Sequence, residues 1–108
     1  MKPYRLITLD DLRRAGACPY GQWSLQRAHG GALVLTEEHV EWGSRWLEWM
    51  GHTLPARDLA AIRRDDRERW REAAARLGVE AIHLPPAEAA ALREEQVRAV
   101  LRAVIAAK

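Results

Sequence analysis

The sequence predicts an all-α fold: one compact bundle of four to five helices joined by short extended connectors. Three observations carry that expectation. Apolar residues recur at helical spacing over residues 37–50 and 55–77, and again near the C-terminus. Helix-start and helix-stop residues punctuate the chain at matching places. The one β-leaning run between them, Ala32-Leu33-Val34-Leu35, is four residues long and has no evident pairing partner.

The elements follow in order. Thr8-Leu9-Asp10-Asp11 has the pattern of a capping box, with Asp in place of Glu or Gln, and Gly16 is a C′ stop. A first helix is expected over 9–15, entered from an extended arm at 4–7. Pro19 suits the first turn of a second helix, which runs through Trp23, Leu25 and Ala28 to the Gly30-Gly31 pair. Residues 32–35 are expected as an extended connector. Thr36, Glu37 and Glu38 then place a cap and two carboxylates at the positive end of a third helix.

At ~100° per residue, Val40, Gly43, Trp46, Leu47 and Met50 share one side of that helix, bordered by Trp42 and Trp49. Glu37, Glu41, Ser44, Arg45 and Glu48 share the other. Gly43 would admit a close backbone neighbour, and Gly51 closes the helix. His39 falls on the apolar side, where a histidine reads as a hydrogen-bonded core residue rather than a ligand.

Pro55 opens the next stretch, and Leu59, Ile62, Trp70, Ala73, Ala74 and Leu77 form a stripe up to Gly78. Asp66 interrupts that stripe. Either Asp65-Asp66-Arg67-Glu68 caps a fresh helix, or one long helix, kinked or straight, carries Asp66 inward beside Arg63 or Arg69. The single helix is the favoured reading. Residues 79–84 read as an extended connector ending at Pro85-Pro86, which starts the last helix. Its final turns carry Val97, Val100, Leu101, Val104 and Ile105, a stripe that must dock on the domain or pair with a second copy as a homodimer.

Composition bounds the class. A chain of 108 residues, 48% hydrophobic and 30% charged, is an ordinary single globular domain with a modest core. Seventeen Lys and Arg against fifteen Asp and Glu leave +2. No apolar run approaches the ~18 residues of a membrane span, and no signal-peptide core is present. The one cysteine, Cys18, has no internal partner for a disulfide, which suits a reducing cytosol.

Chemistry is hard to place on this chain. Cys18, His29, His39, His52 and His83 are scattered, without the i, i+4 or Cys-x2-Cys spacing that presents two metal ligands together. Cys18 lacks a nucleophile signature, and Gly30-Gly31 lacks the further glycines and Lys of a phosphate loop. The pairs Asp10-Asp11 and Asp65-Asp66 read as helix caps. The expectation is a non-enzymatic protein with no metal and no cofactor. The arginines at 57, 63, 64, 67, 69, 71 and 76 are interleaved with Asp58, Asp65, Asp66, Glu68 and Glu72. That mixture reads as a salt-bridged, solvated helix and argues against nucleic acid. A small DNA-binding regulator using helix 57–76 stays as the alternative. DNA mimicry would need an acidic excess that this chain lacks.

Protein–protein binding is the remaining class. Trp and Arg dominate interface energetics, where one buried anchor is worth about 2 kcal/mol or more. The candidate partner-binding residues are Trp42, Trp46 and Trp49 with Arg63, Arg64, Arg67 and Arg71. The segment Leu12-Arg13-Arg14-Ala15-Gly16-Ala17-Cys18, with Gln22, Gly30-Gly31 and Val34-Leu35-Thr36 leading into a Trp-bearing helix, resembles small phage and prophage proteins of no established chemistry. The resemblance spans roughly residues 9–50 and departs from the family pattern at Trp23 and Leu25, where the second helix would carry Phe. It implies a mobile-element protein in a bacterial cytosol. The expected function is a phage-type inhibitor of anti-CRISPR kind, with a CRISPR effector protein as partner; a phage assembly adaptor is a further alternative.

Overall fold

A computed structural model of the chain describes residues 3–42 and 50–107, with only the backbone of Trp42. The order is β1 (Tyr4–Thr8), α1 (Leu9–Arg14), α2 (Pro19–His29), β2 (Ala32–Thr36), α3 (Glu37–Trp42), α4 (Ala56–Leu77) and α5 (Pro86–Ala106). Gly43, Trp46, Leu47 and Trp49 lie outside the described residues.

The helix signals act as their chemistry dictates. The Asp11 amide donates to Thr8 Oγ1 at 3.3 Å, and the Thr8 amide donates to Asp11 Oδ2 at 2.9 Å, closing a reciprocal capping box in which Asp does the work of Glu. Pro19 occupies the first turn of α2, and Gly30 ends it at φ +65°, a left-handed conformation that glycine adopts without a side-chain clash. At α3 the Thr36 amide donates to His39 Nδ1 at 3.0 Å. An imidazole thus reaches back from the third helical position as a Glu would.

The fold is mostly helical but not purely so. Residues 4–8, expected as an arm, and 32–36, expected as a connector, form an antiparallel two-stranded ribbon in the register Tyr4↔Thr36, Leu6↔Val34 and Thr8↔Ala32. The partner that the 32–35 run lacked locally is the chain start, returned to it by the α1–α2 pair. The Leu9 amide donates to the Gly31 carbonyl at 3.2 Å at the mouth of this excursion. Residues 79–84 also differ from a plain connector, because Ala81–His83 close a 3₁₀ turn.

Strand alternation sets the core. Ile7, Leu33 and Leu35 point inward, whereas Tyr4, Leu6 and Val34 point out to solvent. The inner face meets the C-terminal half of α5, whose Val97, Val100, Leu101 and Val104 are almost completely buried, with Ile105 half-buried beside them. The stripe that was a candidate homodimer contact is therefore covered within the chain itself. Leu12, Leu25, Val40, Met50 and Leu54 complete this core. Arg5 reaches across it and donates from Nη1 to the Val104 carbonyl at 3.0 Å, satisfying an acceptor in the last turn of α5.

Residues 56–77 are one helix, so Asp66 starts no new one. α4 and α5 pack along each other. Their far end has a thin core of its own, made of Ala73, Ala74 and Leu84 with Trp70, Ala81 and Leu92 against them. A 22-residue helix is about 33 Å long. It carries the pair beyond the ribbon core and gives the molecule its 47 × 31 × 25 Å outline.

Two substitutions separate core from cap. Leu101→Ala should cost about 2–5 kcal/mol of unfolding free energy by opening a cavity in the main core. Thr8→Ala should cost about 1 kcal/mol through loss of the box. Urea denaturation checks both, and a smaller loss for Leu101→Ala than for Thr8→Ala would contradict this account.

Candidate interaction surfaces

Of the residues expected at the site, Arg63, Arg64, Arg67 and Arg71 stand exposed along α4. Trp42 is the last described residue of α3, and its side chain lies outside the described residues, as do Trp46 and Trp49. The structure brings forward another tryptophan. On α2, Gly21 and Leu25 are buried, and Tyr20, Trp23 and Arg27 line the opposite side at i, i+3 and i+7.

Tyr20 is 73% exposed and Trp23 52%. Their rings are 5.9 Å apart and tilted, and the Arg27 guanidinium lies 5.2 Å from the Trp23 ring centre. The three side chains thus form a stacked ladder facing solvent, with the charge held over the indole. Its signal was present in the sequence: Gly21 and Leu25 mark the inner side of the helix, and Trp23 lies opposite them.

Beside the ladder is a mainly apolar hollow of about 530 Å³, with Tyr20 on its rim and Gly16, Cys18, Gly21 and His52 among its walls. Cys18 and His52 line it without a hydrogen bond between them, and none of its lining residues is an acid. Nucleophilic catalysis needs a base held against the nucleophile. Among the described residues, no three of His, Cys, Asp and Glu are grouped to hold a metal ion. No described helix is long and apolar enough to cross a membrane.

On the α4–α5 arm, Asp66 does not pair with Arg63 or Arg69. It accepts from the indole Nε1 of Trp70 at 3.2 Å, one turn along the same helix. Arg93 of α5 lies 5.9 Å from the centre of that indole. An open groove of about 370 Å³ runs past Asp66, Arg67, Trp70, Arg71 and Ile82, whose side chain is 83% exposed. Burial pushes the Asp66 carboxyl above its ordinary value of 3.8, while the indole N–H, Arg69 and Arg67 pull it the other way.

Compared with protein-family models, with curated proteins and with solved structures, the chain matches none of them.

The Asp66 carboxyl gives a pH signature. Because its folded pKa is raised, the charged form weakens the fold at neutral pH. That penalty is relieved as pH falls through the raised value toward 3.8, where the unfolded chain also takes up the proton. Asp66→Asn keeps an acceptor for the indole and removes the titration. Its stability advantage over the natural chain should be largest at pH 7 and should shrink toward pH 4 in urea denaturation. A difference that does not change with pH would show that Asp66 is not the cause.

Proposed function

We propose that this chain is a non-enzymatic inhibitor of phage type, which acts by covering a surface of a bacterial defence protein. A CRISPR effector complex is the specific target of that reading, making the chain an anti-CRISPR protein. The observation that carries the binding role is the Tyr20–Trp23–Arg27 ladder. It gathers the three residue types richest in interface anchors on one side of one helix, with their apolar surface in water. The adjoining hollow offers a place for a side chain of the partner. The bacterial and phage context comes from the resemblance over residues 9–50. The aromatic anchor proposed here is Trp23, with Trp42, Trp46 and Trp49 as further candidates.

Binding of this kind would block the partner by occupancy, either at its nucleic-acid path or where its nuclease is recruited. Pull-down against purified CRISPR effector complexes is the direct test, with capture expected at micromolar concentration or below. Trp23→Ala should weaken capture about 30-fold, the equivalent of an anchor worth about 2 kcal/mol. Absence of capture by any effector at micromolar concentration would remove the proposed target. Unchanged capture of Trp23→Ala would remove the ladder as the contact.

A further inference from the structure

Along the chain, the seven arginines of α4 are interleaved with five acids and their charges largely cancel. On the helix surface they separate. Arg57, Arg64, Arg67 and Arg71 follow one another at intervals of seven, three and four residues, the spacing of a single stripe. Arg63 joins it one turn before Arg67. At ~100° per residue, Asp58, Asp65, Glu68 and Glu72 fall together to one side of the stripe, with Arg76 in line with Asp58 and Arg69 beyond them.

All five arginines of the stripe are exposed. Asp58 sits 3.8 Å from Arg57, and Glu68 sits 2.7 Å from Arg71, so acids meet the stripe at its two ends. Between them, Arg63, Arg64 and Arg67 make no ion pair among the described residues. Asp66 takes its hydrogen bond from the Trp70 indole and acts on Arg67 only through space, without an ion pair. Arg76 is bonded to Glu88 of α5 at 3.1 Å, away from the stripe.

We infer that this flank of α4 binds the phosphate backbone of duplex DNA without reading its sequence. From Arg57 to Arg71 the stripe is about 21 Å long on one continuous helix. Duplex DNA presents a phosphate about every 3.4 Å of axis along each strand, so a row of that length passes several of them. Guanidinium forks suit phosphate oxygens, and each contact releases a condensed counterion. A single strand would be held by exposed aromatic platforms as well. The only aromatic side chain on the arm is Trp70, half-buried and hydrogen-bonded, which favours the duplex.

The test is fluorescence polarisation with a labelled duplex of about 20 base pairs at roughly 50 and 200 mM salt. Contact with three or four phosphates should lower affinity about 40- to 150-fold across that range. Arg64→Glu with Arg67→Glu should reduce affinity at low salt by about tenfold or more. Arg69→Glu with Arg102→Glu makes the same charge change away from the stripe and should leave affinity near that of the natural chain. Circular dichroism at the assay temperature should show both double variants folded, with the natural helix content. The inference is overturned by salt-independent binding, by equal losses in the two double variants, or by no binding at about 100 μM protein in low salt. Poly-glutamate competing as well as unlabelled duplex would also overturn it, by making the flank a site for acidic protein.

Discussion

The docking of the α5 aliphatic stripe on the inner face of the β1–β2 ribbon holds the rest of the molecule in place. A two-stranded ribbon is marginal in water by itself, because each strand has one neighbour and one bare face. Here Ile7, Leu33 and Leu35 meet Val97, Val100, Leu101 and Val104, and each such side chain contributes about 1.5–3 kcal/mol when fully buried. The Arg5 bond to the Val104 carbonyl ties the same two elements by a polar link. Once the ribbon is held, its ends fix the entry of α1 and the exit of α2. The aromatic ladder is therefore carried on a support stabilised from the far end of the chain.

Gly51 shows how closely the parts approach. A Cβ there would come within 3.2 Å of both Leu59 on α4 and Val100 on α5. This turn is the point where the ribbon core meets the base of the α4–α5 arm. Farther along, the helices are joined by small residues, and Ala73, Ala74 and Leu84 give a much thinner apolar layer. A half-covered carboxylate is tolerable in such a layer, which is why Asp66 can sit on the apolar stripe with one indole N–H as its bonded partner. Surface ion pairs such as Arg71–Glu68 add at most about 1 kcal/mol, so the outer flank of the arm is not dictated by stability.

Two outward-facing chemistries result. The α2 ladder offers flat apolar area with one cation, suited to a protein surface that can cover an indole. The α4 flank offers guanidinium groups without apolar area, suited to a regularly spaced anion. An inhibitor of a nucleic-acid-handling complex would have use for both, one to hold the protein and one to lie along its substrate.

Local chemistry determined much of this in advance. Thr8 with Asp11, Pro19, the Gly30-Gly31 pair, Thr36 and Pro85-Pro86 each act on the few residues beside them. The helices over 9–14, 19–29, 56–77 and 86–106 were accordingly legible, as was the aliphatic stripe of α5, though not what covers it. The separation of arginines from acids on α4 needs only the helical repeat, yet the order of charges along the chain reads as a mixed, largely cancelling surface. Strand pairing between 4–8 and 32–36 was decided by tertiary structure, because hydrogen bonds between segments more than twenty residues apart leave no mark in either segment alone. The same holds for which apolar stripe is covered within the chain. Side-chain burial depends on which neighbour arrives, and here the neighbour comes from the opposite end of the chain.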